Sequence, residues 1–244
     1  MIEPPLTRSQ WVVQRLRRAI ITGEIKPGQP LITTALAEQW AISQTPLREA
    51  LRILASEGLV DMSPQKTARV AQVSYRSFAE LFEIRLMLEP LALERSLRRR
   101  DKEWENGMQN RLQNLREVIK GEDTDPFEFE SAHHEFHMTL LSRCRSEQLL
   151  KLIDNLYKQS VRMRLLSASQ RGGLNYAVIE EHEELLELCS GSNIKQALSS
   201  YQAHILITLD LVLRDAESSE RDISDLTLIQ SHLASVAKDE VAVG

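Results

Sequence analysis

The stretch "SAHHEFHMTLL", residues 131–141, carries three of the chain's six histidines within five residues. Imidazole can hold a divalent metal as a neutral donor, change charge near neutral pH, or sit in an apolar interior with its ring nitrogens hydrogen-bonded. Helical geometry sorts the three rings. With Phe136 at the centre of the apolar face and about 100° per residue, Phe129 and Leu140 fall beside it. His133 and His137 lie one turn apart on its flank, and His134 points away toward solvent. His182 shares a helix face with Val178, Leu185 and Leu186, and His204 shares one with Ala197, Tyr201 and Leu211. Three helices therefore each present an inward imidazole. Such a set suits zinc, nickel or a similar divalent ion. The competing reading is a group of core histidines bonded to carbonyls or carboxylates. Spacing leaves both open, because it contains no distance between helices.

The segments that must position these rings are helical. "FAELFEIRLMLEPLALERSLRRR" places Leu81, Ile84, Leu88, Leu91 and Ala92 at helical spacing, and "EWENGMQNRLQNLREVIKG" does the same with Met108, Leu112, Leu115 and Ile119, stopping at Gly121. The histidine-rich helix starts at Pro126, a residue suited to a first turn. "SEQLLKLIDNLYKQSVRMRLLSAS" follows and is broken by Arg171-Gly172-Gly173. "NYAVIEEHEELLELCSG" and "SNIKQALSSYQAHILITLDLVLRDA" complete six helices, enough for a bundle with a substantial core. Beyond them, Ile223, Leu226, Ile229 and Leu233 predict a short amphipathic helix in the tail, with His232 off that stripe.

With 42% hydrophobic and 27% charged residues the 244-residue chain reads as a soluble globular protein. It lacks an apolar run of about 18 residues and opens on the polar "MIEPPLTRSQ", so the expectation is a cytoplasmic protein with no membrane partner. Cys144 and Cys189 give neither a disulfide framework nor a CxxC pair. The net charge of −5 is uneven: residues 1–72 carry nine Lys and Arg against six Asp and Glu, and the remainder is acidic. A basic head on an acidic body points to a polyanion partner.

The head has a definite order of elements. "TRSQWVVQRLRRAIITGEIKPG" predicts a helix with Val12, Val13, Leu16, Ala19 and Ile20 inward, capped at Thr7 or Ser9 and closed by Gly23. A short helix follows Thr33, with Leu36, Ala37 and Trp40 inward. A third, "SQTPLREALRILASEGLV", has Ser43 as N-cap, Pro46 in its first turn, a Leu47–Leu51–Leu54 stripe and Gly58 as its end. "LVDM" and "ARVAQV" are short strand-like runs around a bend at Pro64, Gln65 and Lys66. Helix, short helix, helix, hairpin is the order of a winged helix-turn-helix, whose third helix enters the major groove. Gln44, Thr45 and Arg48 stand near the start of that helix and Arg52 one turn on, while Lys66 and Arg69 on the wing can reach phosphates. Ser43 and Thr34 complete the expected DNA-contacting set. Arg48 has a plainer alternative as an ion-pair partner of Glu49 or Glu38.

Residues 8–72, through "G-x-I-x-P-G-x-x-L" and "S-x-T-P-L-R-E-A-L-x-x-L-x-x-E-G-L-V", resemble the DNA-binding head of GntR-type bacterial transcription regulators. Gln44 stands where that family commonly has Arg, Thr34 and Ala35 replace an acidic–basic pair, and the wing glycine near Thr67 is missing. Gln pairs with adenine and Arg with guanine, so the operator is expected to differ from the commonest family sites.

"FAELFEIRLMLEPLALERS", "EFHMTLL", "EEHEELLEL" and "YQAHI" resemble the FCD ligand-binding domain of the FadR-like branch, with its six-helix VanR-type subgroup in view. The resemblance implies a mostly α protein. Residues 1–72 would be a winged helix-turn-helix, 73–215 a helical bundle for effector, metal and dimerisation, and 216–244 a tail. It also implies a divalent metal on Asp, His, His and His. His137, His182 and His204 match three ligands, and His133 stands where the Asp is expected. Four neutral imidazoles leave the metal charge uncompensated, which either favours an anionic ligand or weakens metal retention. Glu130 is a supporting carboxylate. The effector expected is a small organic acid, with Arg85 as carboxylate clamp, or else merely the ion-pair partner of Glu89. Arg162 and Arg164 are further candidate clamps. The function implied is a ligand-responsive repressor binding a pseudo-palindromic DNA operator as a homodimer. The alternative is a metal-dependent helical-bundle enzyme, which would leave the head unexplained.

Overall fold

The computed structural model describes residues 7–62, 67–72, 74–119, 124–170 and 177–213. The chain divides into two compact units at Val73/Ser74. Lys66, the wing bend, Gly121, the Arg171–Gly173 break and the tail with its amphipathic stripe and His232 lie outside the described residues.

In the first unit α1 spans Arg8–Ile21, α2 Thr33–Gln39 and α3 Gln44–Ser56. Thr7 starts α1 with a full capping box: its hydroxyl accepts from Gln10 N, and the Gln10 side chain accepts from Thr7 N. Val12, Val13, Leu16, Ala19 and Ile20 are buried against Leu47, Ala50, Leu51 and Leu54 of α3. Ser43 precedes α3 in extended conformation, but its side chain makes no capping bond. Between α2 and α3 the turn passes through Ala41 at φ 51°, a left-handed conformation costly for a residue with a Cβ. Arg17 and Glu57 form a two-pronged ion pair, at 2.7 and 3.0 Å, that ties α1 to the end of α3. β1 (Val60–Asp61) and β2 (Arg69–Val70) pair antiparallel, Val60 opposite Val70, and Gly28, Gln29 and Leu31 add backbone bonds along the other side of β2.

The second unit is a bundle of α4 (Tyr75–Leu97), α5 (Lys102–Val118), α6 (Pro126–Leu141), α7 (Glu147–Gln170), α8 (Ala177–Ser190) and α9 (Ile194–Leu213). A 3-10 turn, Ser142–Cys144, joins α6 to α7. Ser74, Asp101 and Asp125 cap α4, α5 and α6 with side-chain oxygens, and Pro126 occupies the first turn of α6. α4 packs on α7 and α9, α5 on α6 and α8, α8 on α9. Trp104, Phe136, Leu140 and Tyr201 are fully buried at the centre. The Leu140 carbonyl accepts from both Trp104 Nε1, at 3.2 Å, and the Ser96 hydroxyl, at 2.7 Å.

α4 corrects the sequence expectation. Its inward face is Phe78, Phe82, Arg85, Leu86, Glu89, Ala92, Leu93 and Ser96, whereas Ile84, Met87 and Leu91 are 39%, 52% and 41% exposed. Of the expected stripe Ala92 is buried and Leu81 and Leu88 are half-buried, while Ile84 and Leu91 lie outward; apolar periodicity shifted the face because the inner one contains a charged pair. Arg85 and Glu89, one turn apart, neutralise each other at 2.5 Å and so can be buried together.

A candidate metal and effector centre

His133 and His137 project from α6, His182 from α8 and His204 from α9. Their candidate ligand nitrogens all lie within 4.8 Å of one another. His137 Nε2 stands 3.2 Å from His133 Nε2 and 3.3 Å from His182 Nε2. Metal–nitrogen bonds of about 2.0–2.1 Å in tetrahedral geometry space ligand nitrogens about 3.3 Å apart.

The outer nitrogens differ in what they face. His182 Nδ1 is 2.6 Å from the Val178 carbonyl, which only accepts, so that nitrogen carries the proton and Nε2 is bare. His204 Nδ1 faces Glu181 at 3.8 Å. His133 Nδ1 meets the Tyr157 hydroxyl at 2.6 Å. His137 Nδ1 has no hydrogen-bond partner among the described residues. A single proton on His137 Nε2 could satisfy only one of the two nitrogens that face it, whereas a divalent cation can take all the lone pairs. The donor set therefore fits a borderline metal such as zinc or nickel.

Burial holds all four rings neutral. It pushes His182 down to about 4 and His133, His137 and His204 well below 6.5, with mutual repulsion adding to the last three. Two buried ion pairs stand beside them. Arg85 pairs with Glu89, which also accepts from the Tyr201 hydroxyl at 2.6 Å. Arg164 pairs with Glu130 through two nitrogens, at 3.2 and 2.5 Å. Both guanidiniums lie over the Tyr157 ring, at 5.5 Å and 4.1 Å from its centre. Arg162 is buried, and burial lowers its pKa.

Two sequence expectations change here. His134 is half-buried rather than turned to solvent; it stacks on Tyr157 at 4.4 Å and approaches Asp154 at 2.9 Å. α7 covers that flank of α6, which the periodicity of α6 alone does not reveal. The Arg85–Glu89 ion pair is the plainer alternative offered for Arg85, and Tyr201 lies on the expected face of His204; Tyr157 is a residue that sequence reasoning does not reach. The available signal was Arg164, standing on the Leu149–Ile153–Tyr157–Ser160 stripe: a cation on an apolar face needs a buried partner.

In the first unit Thr45, Arg48 and Arg52 are exposed along one side of α3, with Ser43 and Gln44 at its start and Thr34 exposed on α2. Arg48 Nη2 donates to Gln44 Oε1 at 3.0 Å. Arg69 donates to the Gly28 carbonyl at 2.9 Å.

Residues 8–70 match the family described as "Bacterial regulatory proteins, gntR family", and residues 80–206 match the FCD domain. The gluconate operon transcriptional repressor of Bacillus licheniformis is 28% identical over 233 residues, covering 94% of this chain and 90% of the relative. The HTH-type transcriptional repressor GlaR of Escherichia coli is 25% identical over 203 residues, covering 81% and 92%. Among solved structures, E. coli McbR/YncC shares the fold with a TM-score of 0.66 at 24% identity, covering 86% of this chain and 99% of that one. A GntR regulator from Rhodococcus sp. RHA1 gives 0.68 at 19% identity, covering 87% and 100%. These relatives and this fold are those of regulators, not enzymes, and among the described residues no helix is long and apolar enough to cross a membrane. The chain belongs to the GntR family of bacterial transcriptional regulators, in the FadR-like branch that carries an FCD domain.

Proposed function

We propose that this regulator is a dimeric repressor acting in the cytoplasm. It would bind a pseudo-palindromic operator through α3 and answer to a small organic acid seated on a divalent metal in the helical unit. The observation that carries this reading is the convergence of His133, His137, His182 and His204 beside two buried carboxylates, Glu89 and Glu130, that are each already bound to an arginine. These residues would hold the ion, zinc or nickel by their donor chemistry. The ion would supply an electrophilic anchor for a carboxylate. Neither Glu89 nor Glu130 is free to offset a divalent charge, since each is bound to an arginine. An incoming anion would do so. Arg85 would meet that acid by exchanging Glu89 for it, and Arg162 is the second cation proposed to lie within its reach.

On the DNA side, Gln44, Thr45, Arg48 and Arg52 would address base edges and phosphates, supported by Ser43, Thr34, Lys66 and Arg69. A two-fold dimer would place two copies of α3 on the two half-sites. The Ile84–Met87–Leu91 stripe on the outer face of α4 supports such a dimer, since an exposed apolar strip of this kind suits a second copy. Effector binding would change operator affinity by a coupling of about 1–3 kcal/mol. The test is operator binding by the zinc-loaded and metal-free protein across a panel of small carboxylates. Release by a carboxylate that requires the metal is expected. Release that is indifferent to metal removal would sink the metal part of the reading.

A further inference from the structure

The tautomer of His182 is fixed by a carbonyl, which can only accept. His133 has no such guarantee. Its outer nitrogen meets a hydroxyl, and a hydroxyl can give a proton or take one. If Tyr157 gave its proton to His133 Nδ1, the imidazole proton would sit on Nε2, aimed at His137, and would block an ion.

The next residue decides the direction. Tyr157 also lies 3.3 Å from Glu130 Oε2, to which its hydroxyl donates. Glu130 stands on α6, one turn before His133, and two guanidinium nitrogens of Arg164 hold it. Each Glu130 oxygen already accepts from a guanidinium nitrogen, so Glu130 faces Tyr157 as an acceptor. The single Tyr157 proton therefore belongs to Glu130, and the hydroxyl lone pair accepts from His133 Nδ1. All the groups concerned are buried, so water does not compete for these positions.

We infer that Tyr157, polarised by the Glu130–Arg164 pair, is a positioning residue that fixes His133 as the Nδ1–H tautomer and presents its bare Nε2 to the cluster. Outer-layer partners of this kind typically change metal affinity about 10–100-fold. The inference deepens the metal reading above but does not depend on it, because the tautomer exists with or without an ion.

Tyr157→Phe is the sharp perturbation. It removes one oxygen and keeps the ring that packs on Arg164 and His134. Two measurements apply to the full chain. The first is the tautomer of His133 in the metal-free protein, from long-range proton–nitrogen correlations of histidine-labelled samples. The expected result is Nδ1–H in the wild type and loss of that fixed state in Tyr157→Phe. A wild-type His133 protonated at Nε2 overturns the inference. The second is zinc affinity by competition with a chromophoric chelator. A 10–100-fold loss is expected in Tyr157→Phe, and an affinity within two-fold of wild type overturns the inference. Glu130→Gln, which takes away the obligate acceptor, should produce the same two changes. A wild type that takes up no zinc removes the metal reading alone, and the tautomer measurement still decides the role of Tyr157.

Discussion

His182→Ala isolates what an ion would contribute. The ring is 1% exposed and anchored at the Val178 carbonyl, so truncation leaves a void whether or not an ion is present. That packing loss is worth about 2–4 kcal/mol, which makes a plain comparison of melting temperatures uninformative. The useful quantity is the stabilisation each protein gains on adding zinc to its own metal-free form. At an ion concentration of about 1,000 times Kd the wild type gains about 4.1 kcal/mol. For a chain of this length each kcal/mol moves Tm by about 2–4 °C, so the upshift should be about 8–16 °C. Losing an inner ligand should cost at least what outer partners cost, about 100-fold at the upper end. At the same zinc concentration the gain then drops to about 1.4 kcal/mol, or about 3–6 °C. Differential scanning fluorimetry on protein purified without metal-chelate resin reads both shifts. Equal zinc-induced shifts in wild type and His182→Ala would refute the assignment of His182 as a ligand.

Arg48→Ala should leave stability nearly unchanged, since the side chain is exposed, with Gln44 at 3.0 Å as its partner. It should still cost about 1–3 kcal/mol of operator affinity per half-site; unchanged specific binding in a gel-shift titration would displace α3 from the reading role. Met87→Glu puts a charge on the exposed α4 stripe and should convert dimer to monomer in sedimentation velocity, an outcome contradicted by an unaltered dimer. In the metal-free protein, His182 is held at about 4 in the fold against an ordinary 6.5 when unfolded. The unfolded chain thus binds the extra proton first, so stability rises with pH in this window. Urea midpoints should fall as pH drops from about 6.5 toward 4, and this group should add no further loss below 4. A flat profile across that range would mean that the histidines are not held neutral by burial.

The elements of the first unit were legible because several signals agree there. In α1 the Thr7 capping box, the Val12–Leu16–Ala19 face and Gly23 all mark the same helix. α4 was legible as a helix but not in its orientation, since a buried Arg85–Glu89 pair looks, in sequence, like a solvated face. The i, i+4 relation of His133 and His137 follows from helical geometry alone. Their meeting with His182 and His204 depends on how α6, α8 and α9 pack, which local periodicity does not encode. Tyr157 is marked in sequence only indirectly, by Arg164 on the same stripe, because its hydroxyl matters only where α7 lies across α6.

The histidine quartet also bears on cooperativity. His137 and His182 are 45 residues apart in the chain, and His204 lies on yet another helix. An ion joining them would act as a removable cross-link, closing a long loop and restricting the unfolded chain much as a disulfide does. With it, α6, α8 and α9 would have to open together rather than one at a time. Amide hydrogen exchange in these three helices would then change from separate local openings to one shared opening on metal uptake, and metal supply would set the size of the unit that unfolds.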